Sequence, residues 1–210
     1  HLLRALRTNV ANLAAGYVVT GDDGYVHKAV QLLQGFFLDE DTRMNPHLLY
    51  AQAIPGICTG RGIGIIDTLH IAEVPVAIEA MKSSPSFPSE TLRGMQEWFA
   101  DYLEWISTHE YGINEMNADN NHGVCWYVQA AIFARFTGNE SILNYCLERY
   151  KTHLLPDQMA EDGSFPRELA RTKPYGYSIF VLDNMTTLCH VLSTVDENIW
   201  SFQLADGRGI

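Results

Sequence analysis

Several features that mark whole classes of protein are missing from this sequence. Its 210 residues contain no run of eighteen apolar positions, so no segment reads as a membrane-spanning helix. Its four cysteines, Cys58, Cys125, Cys146 and Cys189, have no CxxC or other metal-ligand spacing, and HExxH is absent. A metal site in which His109-Glu110 meets Asp119 to His122 is therefore the weakest reading, and no metal or cofactor is expected. The thiols read as buried and free, with a disulfide an option only in a secreted protein. Basic residues are scarce, 14 against 25 acidic ones, for a net charge of -11. That balance argues against nucleic acid as a partner, because phosphate binding needs a basic surface. An anionic ligand would have to be held locally, and Arg61, Arg167, Arg171 and Lys173 are the scattered candidates. Strand-type alternation of useful length is missing too, which leaves an all-α class.

What is present is helical periodicity in pieces. Leu2, Leu3, Leu6, Val10, Leu13, Ala14 and Tyr17 recur at three- and four-residue steps, and Thr20-Gly21-Asp22-Asp23 ends that run. Gly21 suits a left-handed position after the helix, and Asp22 or Asp23 can cap the next one, through Val26, Ala29, Val30, Leu33 and Phe37. The same punctuation returns at Thr137-Gly138-Asn139-Glu140, ahead of Ile142, Leu143, Cys146 and Tyr150. Repetition of helix, Thr-Gly, cap and helix predicts an array of αα-hairpins. A further helix is predicted over 66–82, with a kink or restart at Pro75. The strongest periodic stretch is 89–108, with its stop near Gly112, and the last is Ser178 to Leu192. With 47% apolar residues the chain can bury one sizeable core, so residues 1–210 are read as a single domain. The start at His1, without Met or a signal peptide, suggests a mature form or an excised piece. Asn139-Glu140-Ser141 and Asn184-Met185-Thr186 fit the glycosylation sequon, Asn184 poorly, since it falls in an apolar helix.

Chemistry-bearing residues gather in three breaks between helices. The first, 41–66, runs from Asn45-Pro46 through Tyr50-Ala51-Gln52-Ala53 to Gly60-Arg61-Gly62-Ile63-Gly64 and is a candidate wall or lid of a cleft. Its Gly60-Arg61-Gly62 is too short to count as a phosphate loop and lacks the Lys and Ser or Thr that follow one. The second is Asn117-Ala118-Asp119-Asn120-Asn121-His122-Gly123, followed by Val124-Cys125-Trp126-Tyr127. Amides and an imidazole there offer donors to an anion and one base to a proton, and the aromatics offer faces on which sugar rings stack. The plainer reading is an Asx-capped helix start with Asn120 or Asn121 as the cap. The third is Asp162-Gly163-Ser164-Phe165-Pro166-Arg167-Glu168-Leu169-Ala170-Arg171, leading to Tyr175-Gly176-Tyr177-Ser178.

Taken together, these three segments resemble the alginate lyase superfamily of polysaccharide lyases, closer to lyases of poly-glucuronate or poly-mannuronate than to bacterial enzymes with Asn-Asn-His-Ser. The resemblance implies an incomplete (α/α) toroid of helical hairpins, with members usually longer than this chain and therefore further helices beyond Ile210. It implies no cofactor, an acidic polysaccharide as partner, and a secreted or periplasmic setting. Residue by residue it implies catalytic roles for Asn121, His122, Arg171 and Tyr177, with Gln52, Arg61, Asn120, Trp126, Arg167 and Tyr175 expected to bind substrate. Val124-Cys125 where Thr is more usual, and the large Tyr175, leave substrate choice open.

The implied reaction removes the C5 proton of a uronate and expels O4. The difficulty is that C5 adjoins a carboxylate that is already negative, so hydrogen-bond donors from Asn121, with His122 or Arg171, are needed to hold the extra charge. Two assignments fit the residues: Tyr177 as both base and acid in a syn elimination, or His122 as base and Tyr177 as acid in an anti elimination. Taken singly, Arg171 reads as a helix-end cation or a partner of Glu168, and Tyr177 as a core residue. The first rival reading is a glycoside hydrolase, drawing two carboxylates from Glu115, Asp119, Glu161, Asp162 and Glu168. The second is a binding module that uses Trp98, Trp105 and Trp126.

Overall fold

The computed structural model describes residues 2–210 and is built of helices, as the missing alternation requires. The chain divides into two compact units, His1–Ile106 and Ser107–Ile210. In the first unit, α1 (Leu2–Thr20) turns at Gly21, which takes the left-handed conformation at φ +70°, into α2 (Asp23–Leu33). Asp22 caps α2 by accepting a hydrogen bond from the Gly24 backbone N–H at 2.8 Å. A π-helical turn, Gln34–Leu38, extends α2 and buries Phe37. The next regular segment, Gly62–Ala72, is 3₁₀ rather than α and leads into α3 (Glu73–Met81), whose first turn accommodates Pro75, so the predicted restart is present. α1 packs on α2, α3 and the 3₁₀ segment. α4 (Ser89–Thr108) has the predicted bounds and presents Met95, Trp98, Phe99, Tyr102, Leu103 and Ile106 to the core. Phe37 meets Trp98 edge-on with ring centres 4.7 Å apart, and Gln34 Nε2 donates to Thr91 Oγ1 at 2.8 Å, which ties α4 to the end of α2.

A proton-sensitive contact lies on the α1 face of this unit. Arg4 Nε donates to His70 Nε2 at 3.0 Å, which requires that nitrogen to be unprotonated. Burial, and then the charges of Arg4 and Arg7, hold His70 below its ordinary value against the opposing pull of Asp67 and Glu73. A value lowered by folding gives stability that is complete above the unfolded pKa of about 6.5 and is lost as pH falls from there toward the folded one. Thermal melts are therefore expected to drop between about pH 7 and pH 5, and His70→Gln should show a smaller drop. An equal drop in the variant would count against this contact.

In the second unit, α5 (Glu110–Met116) follows α4 almost at once. Gly112 lies buried inside α5 instead of marking a stop, because His109 caps a new helix there, its Nδ1 accepting from the Tyr111 backbone N–H at 3.1 Å. α6 (Asn121–Thr137) is the centre of the unit. From Asn121 to Ala134 every residue is buried except His122, as expected of a helix that is apolar on all sides. It packs on α5, α7 (Glu140–Arg149) and α10 (Pro174–Leu192). The α6–α7 turn repeats the α1–α2 turn, with Gly138 left-handed at φ +72° and Asn139 capping Ile142. A π-helical turn (Tyr150–Leu154) and two single turns, α8 (Leu155–Gln158) and α9 (Pro166–Leu169), complete the path to α10. α10 begins at Pro174, four positions ahead of the predicted Ser178, since proline is well suited to the first turn of a helix. Asn184 is buried, its amide donating to the Phe180 carbonyl at 2.7 Å, and so cannot carry a glycan in this fold.

All four cysteines are free, Cys58 part-exposed and the others buried. Burial raises the thiol pKa of Cys125, Cys146 and Cys189, pushing Cys146 to about 12. Among the described residues no helix is long and apolar enough to cross a membrane.

Candidate functional site

The second unit brings the residues of the two later breaks together through two buried carboxylates. α6 starts where Asn120 Oδ1 accepts from the His122 backbone N–H at 3.0 Å, so the plainer cap reading is correct for Asn120 and its side-chain oxygen is committed. Asn121 is 1% exposed. Its backbone N–H donates to Glu168 Oε1 at 2.7 Å, and its side-chain amide approaches both Glu168 oxygens at 3.1 and 3.0 Å. Part of this amide's donor capacity thus goes to a buried carboxylate, which ties α9 to the first turn of α6.

His122 differs from its helix neighbours in keeping an open edge, with its side chain 20% exposed. Its Nδ1 lies 2.6 Å from Oε1 of Glu115, whose side chain is 2% exposed at the end of α5. The approach depends on Gly123, where an added Cβ would sit 2.0 Å from the Ala118 carbonyl oxygen. Only a residue without a side chain lets the turn between α5 and α6 come this close to α6. The same carboxylates, Glu115 and then Glu168, add to burial in raising the Cys125 thiol pKa, so that thiol stays protonated and inert.

One turn beyond Glu168, Arg171 lies over Tyr177 in the first turn of α10. Its Nη2 donates to the phenol oxygen at 3.2 Å, and its guanidinium carbon stands 4.2 Å from the ring centre. Both residues are half-buried. Arg171 thus pairs with the phenol and not with Glu168. The segment 168–177 binds α6 through Glu168 and α10 through Arg171, and α6 packs directly on α10. His109, Glu110 and Asp119 to His122 form no metal cluster, and no group of ligating side chains suited to a metal occurs among the described residues.

Other expectations fare differently. Trp126 is 0% exposed and packs edge-on against Tyr127 at 4.9 Å, so it has no face to offer a sugar; it is a core residue. Trp98 is buried as well and donates to the Met44 carbonyl, which weakens the binding-module reading. Glu115 and Glu168 are occupied by His122 and Asn121, which removes two of the carboxylates a hydrolase would need. Arg167 is committed to an ion pair with Asp119 at 2.9 Å and to the Asp157 carbonyl at 3.0 Å. Tyr175 is 80% exposed and open to a ligand.

In the first unit Gln52 and Arg61, each expected to bind substrate, bond to one another: Arg61 Nε donates to the Gln52 carbonyl at 2.9 Å and Nη2 to its Oε1 at 3.2 Å. Gln52 Nε2 in turn donates to Asp67 at 3.2 Å. These bonds hold Gln52 at φ +51°, left-handed backbone that a residue with a side chain adopts only under such constraint.

Sequence reasoning missed Glu115 and Glu168 as partners of the Asn121-His122 pair. Their signal was weak: a glutamate on the apolar side of a short helix, in a chain full of acids.

The family model for alginate lyases matches residues 1–210. Among solved structures, the chain is similar to an alginate lyase from Bacteroides ovatus, at 38% identity and a TM-score of 0.94 over 99% of this chain and 55% of that one. It also shares its fold with two forms of alginate lyase A1-III, each complexed with a tetrasaccharide. Identities there are 16% and 17%, with TM-scores of 0.72 and 0.73 over 98% and 99% of this chain and 56% and 55% of theirs. No protein of curated function matches the chain. The chain spans about half the length of the structures it resembles.

Proposed function

This chain belongs to the alginate lyase family, a family of all-α (α/α) toroids, and from that premise we propose that its protein is a polysaccharide lyase cleaving a poly-uronate by β-elimination. The observation that carries the reading is the Arg171–Tyr177 contact, joined through α9 to the helix start that presents His122. In the elimination the C5 proton leaves to a base, its bonding pair becomes the C4–C5 double bond, and the C4–O4 bond breaks as Tyr177 gives its proton to O4. The phenol oxygen is then negative, and the guanidinium 3.2 Å away faces that charge in a part-buried setting where it counts for more than in water. Further N–H groups of Arg171 are of the type that hold a substrate carboxylate as it gains charge at C5. Asn121, tied to Glu168, supports the reaction by keeping the start of α6 in place.

Glucuronan and polymannuronate are the proposed substrates, with Gln52, Arg61 and Tyr175 as substrate contacts. The surplus of acid residues makes local cations such as Arg61 and Arg171 the means of attraction, since the net charge of -11 repels a polyanion at long range. A polymer of this kind does not enter the cytoplasm unaided, which supports a secreted or periplasmic setting. Incubation with polyglucuronate, polymannuronate and polyguluronate is expected to yield an ultraviolet-absorbing unsaturated sugar from at least one of the first two. A saturated reducing end in its place would establish hydrolysis and reject the proposal.

A further inference from the structure

We propose that Glu115 is a positioning residue which holds the proton of His122 on Nδ1 and so leaves Nε2 as the proton-accepting nitrogen of the site. The inference rests on the elimination reading with His122 taking the C5 proton and Tyr177 supplying the O4 proton; in glucuronate and mannuronate C5–H and O4 lie on one face of the ring, so both side chains would act from that face.

The geometry has three parts. Glu115 Oε1 lies 2.6 Å from His122 Nδ1, within hydrogen-bond distance, and an ionised carboxylate can only accept, so the imidazole must donate. A neutral ring that carries its proton on Nδ1 has a lone pair on Nε2. The carboxylate is buried while the imidazole side chain stays 20% exposed, so the ring is held at Nδ1 without being enclosed. Finally, the turn that follows α5 reaches α6 with the Ala118 carbonyl oxygen where a Cβ at position 123 would stand, a close approach that glycine permits. Once Nε2 has taken the C5 proton, Glu115 faces an imidazolium and stabilises it. The C–H pair forms the C4–C5 double bond, O4 leaves with the Tyr177 proton, and atoms and electrons balance.

A purely structural Glu115 would join α5 to α6 without governing where the imidazole proton sits. Three variants separate the roles: Glu115→Leu, which keeps the bulk and removes the acceptor, Glu115→Asp, which keeps an acceptor on a shorter arm, and His122→Asn, which identifies the His122 signals. Nitrogen-15 NMR of the imidazoles at mildly alkaline pH is expected to show His122 in the wild type as the Nδ1–H tautomer, and in E115L to show that preference lost. On polyuronate, kcat of E115L should fall roughly 10²–10⁴-fold with KM little changed, and E115D should recover part of it. A wild-type ring protonated on Nε2 alone, or an E115L protein with its tautomer or its kcat unchanged, overturns the proposal. If the wild type makes no unsaturated product from any polyuronate, the lyase reading fails by itself. The tautomer measurement then still upholds or overturns the positioning role.

Discussion

Tyr177→Phe is expected to cut kcat on polyuronate by roughly 10²–10⁴-fold, the span typical of a lost general acid, or about 3–5 kcal/mol of transition-state stabilisation. Binding should survive, because the phenylalanine ring still lies beneath the Arg171 guanidinium, which now stands 4.2 Å from the tyrosine ring centre. The fold should survive as well. Only one hydrogen bond at a half-buried hydroxyl is removed, worth about 0.5–1.5 kcal/mol. Steady-state kinetics beside a thermal melt thus separate the two kinds of loss. A chemical role gives a large fall in kcat with a small change in melting, whereas a packing role gives the reverse. Wild-type turnover in Y177F would remove Tyr177 from the reaction and with it the case for elimination at this site.

The second large effect is expected at Gly123→Ala. Alanine is the better helix former by about 1 kcal/mol, so at an ordinary helical position this change would stabilise. Here the added methyl would stand 2.0 Å from the Ala118 carbonyl oxygen, backbone that cannot swing aside as a side-chain tip can. Overpacking of this kind costs about 1–3 kcal/mol, which outweighs the gain in propensity. Relief requires the Ala118 turn between α5 and α6 to shift, and a shift passed back to α5 is expected to disturb Glu115 against the imidazole it now touches at 2.6 Å. A displacement of about 1 Å at a catalytic group costs on the order of 10²-fold in rate. Melting and turnover should therefore fall together, unlike Y177F. An alanine variant that melts higher than the wild type would show that the two helices do not meet as described.

The helices were legible from sequence wherever their boundaries are set by local chemistry. Gly21 and Gly138 stand where a left-handed residue ends a helix, and Asp22 and Asn139 are the caps that follow, all within a few residues of one another. The bounds of α4 follow in the same way from its periodicity and its leading Pro88-Ser89. The start of α10 could have been read four positions earlier from Pro174, a signal outweighed by the polar look of the segment around it. Trp126 and Tyr127 were assigned to sugar stacking by their chemistry, although the apolar run around them already indicated a helix buried on every side. Least legible were the partners. Asn121 meets Glu168 across forty-seven positions of chain, and no local pattern announces a pairing set by how α9 packs. Arg171 and Tyr177, which only the resemblance singles out, lie six positions apart, and a short turn and a helix start bring them into contact.

The state of the thiols has a practical consequence. Three sulfhydryls are enclosed and kept protonated, while Cys58 sits part-exposed on the segment that carries Gln52 and Arg61. A maleimide dye added to the folded protein is therefore expected to attach at Cys58, and its fluorescence reports on that segment with no mutation made.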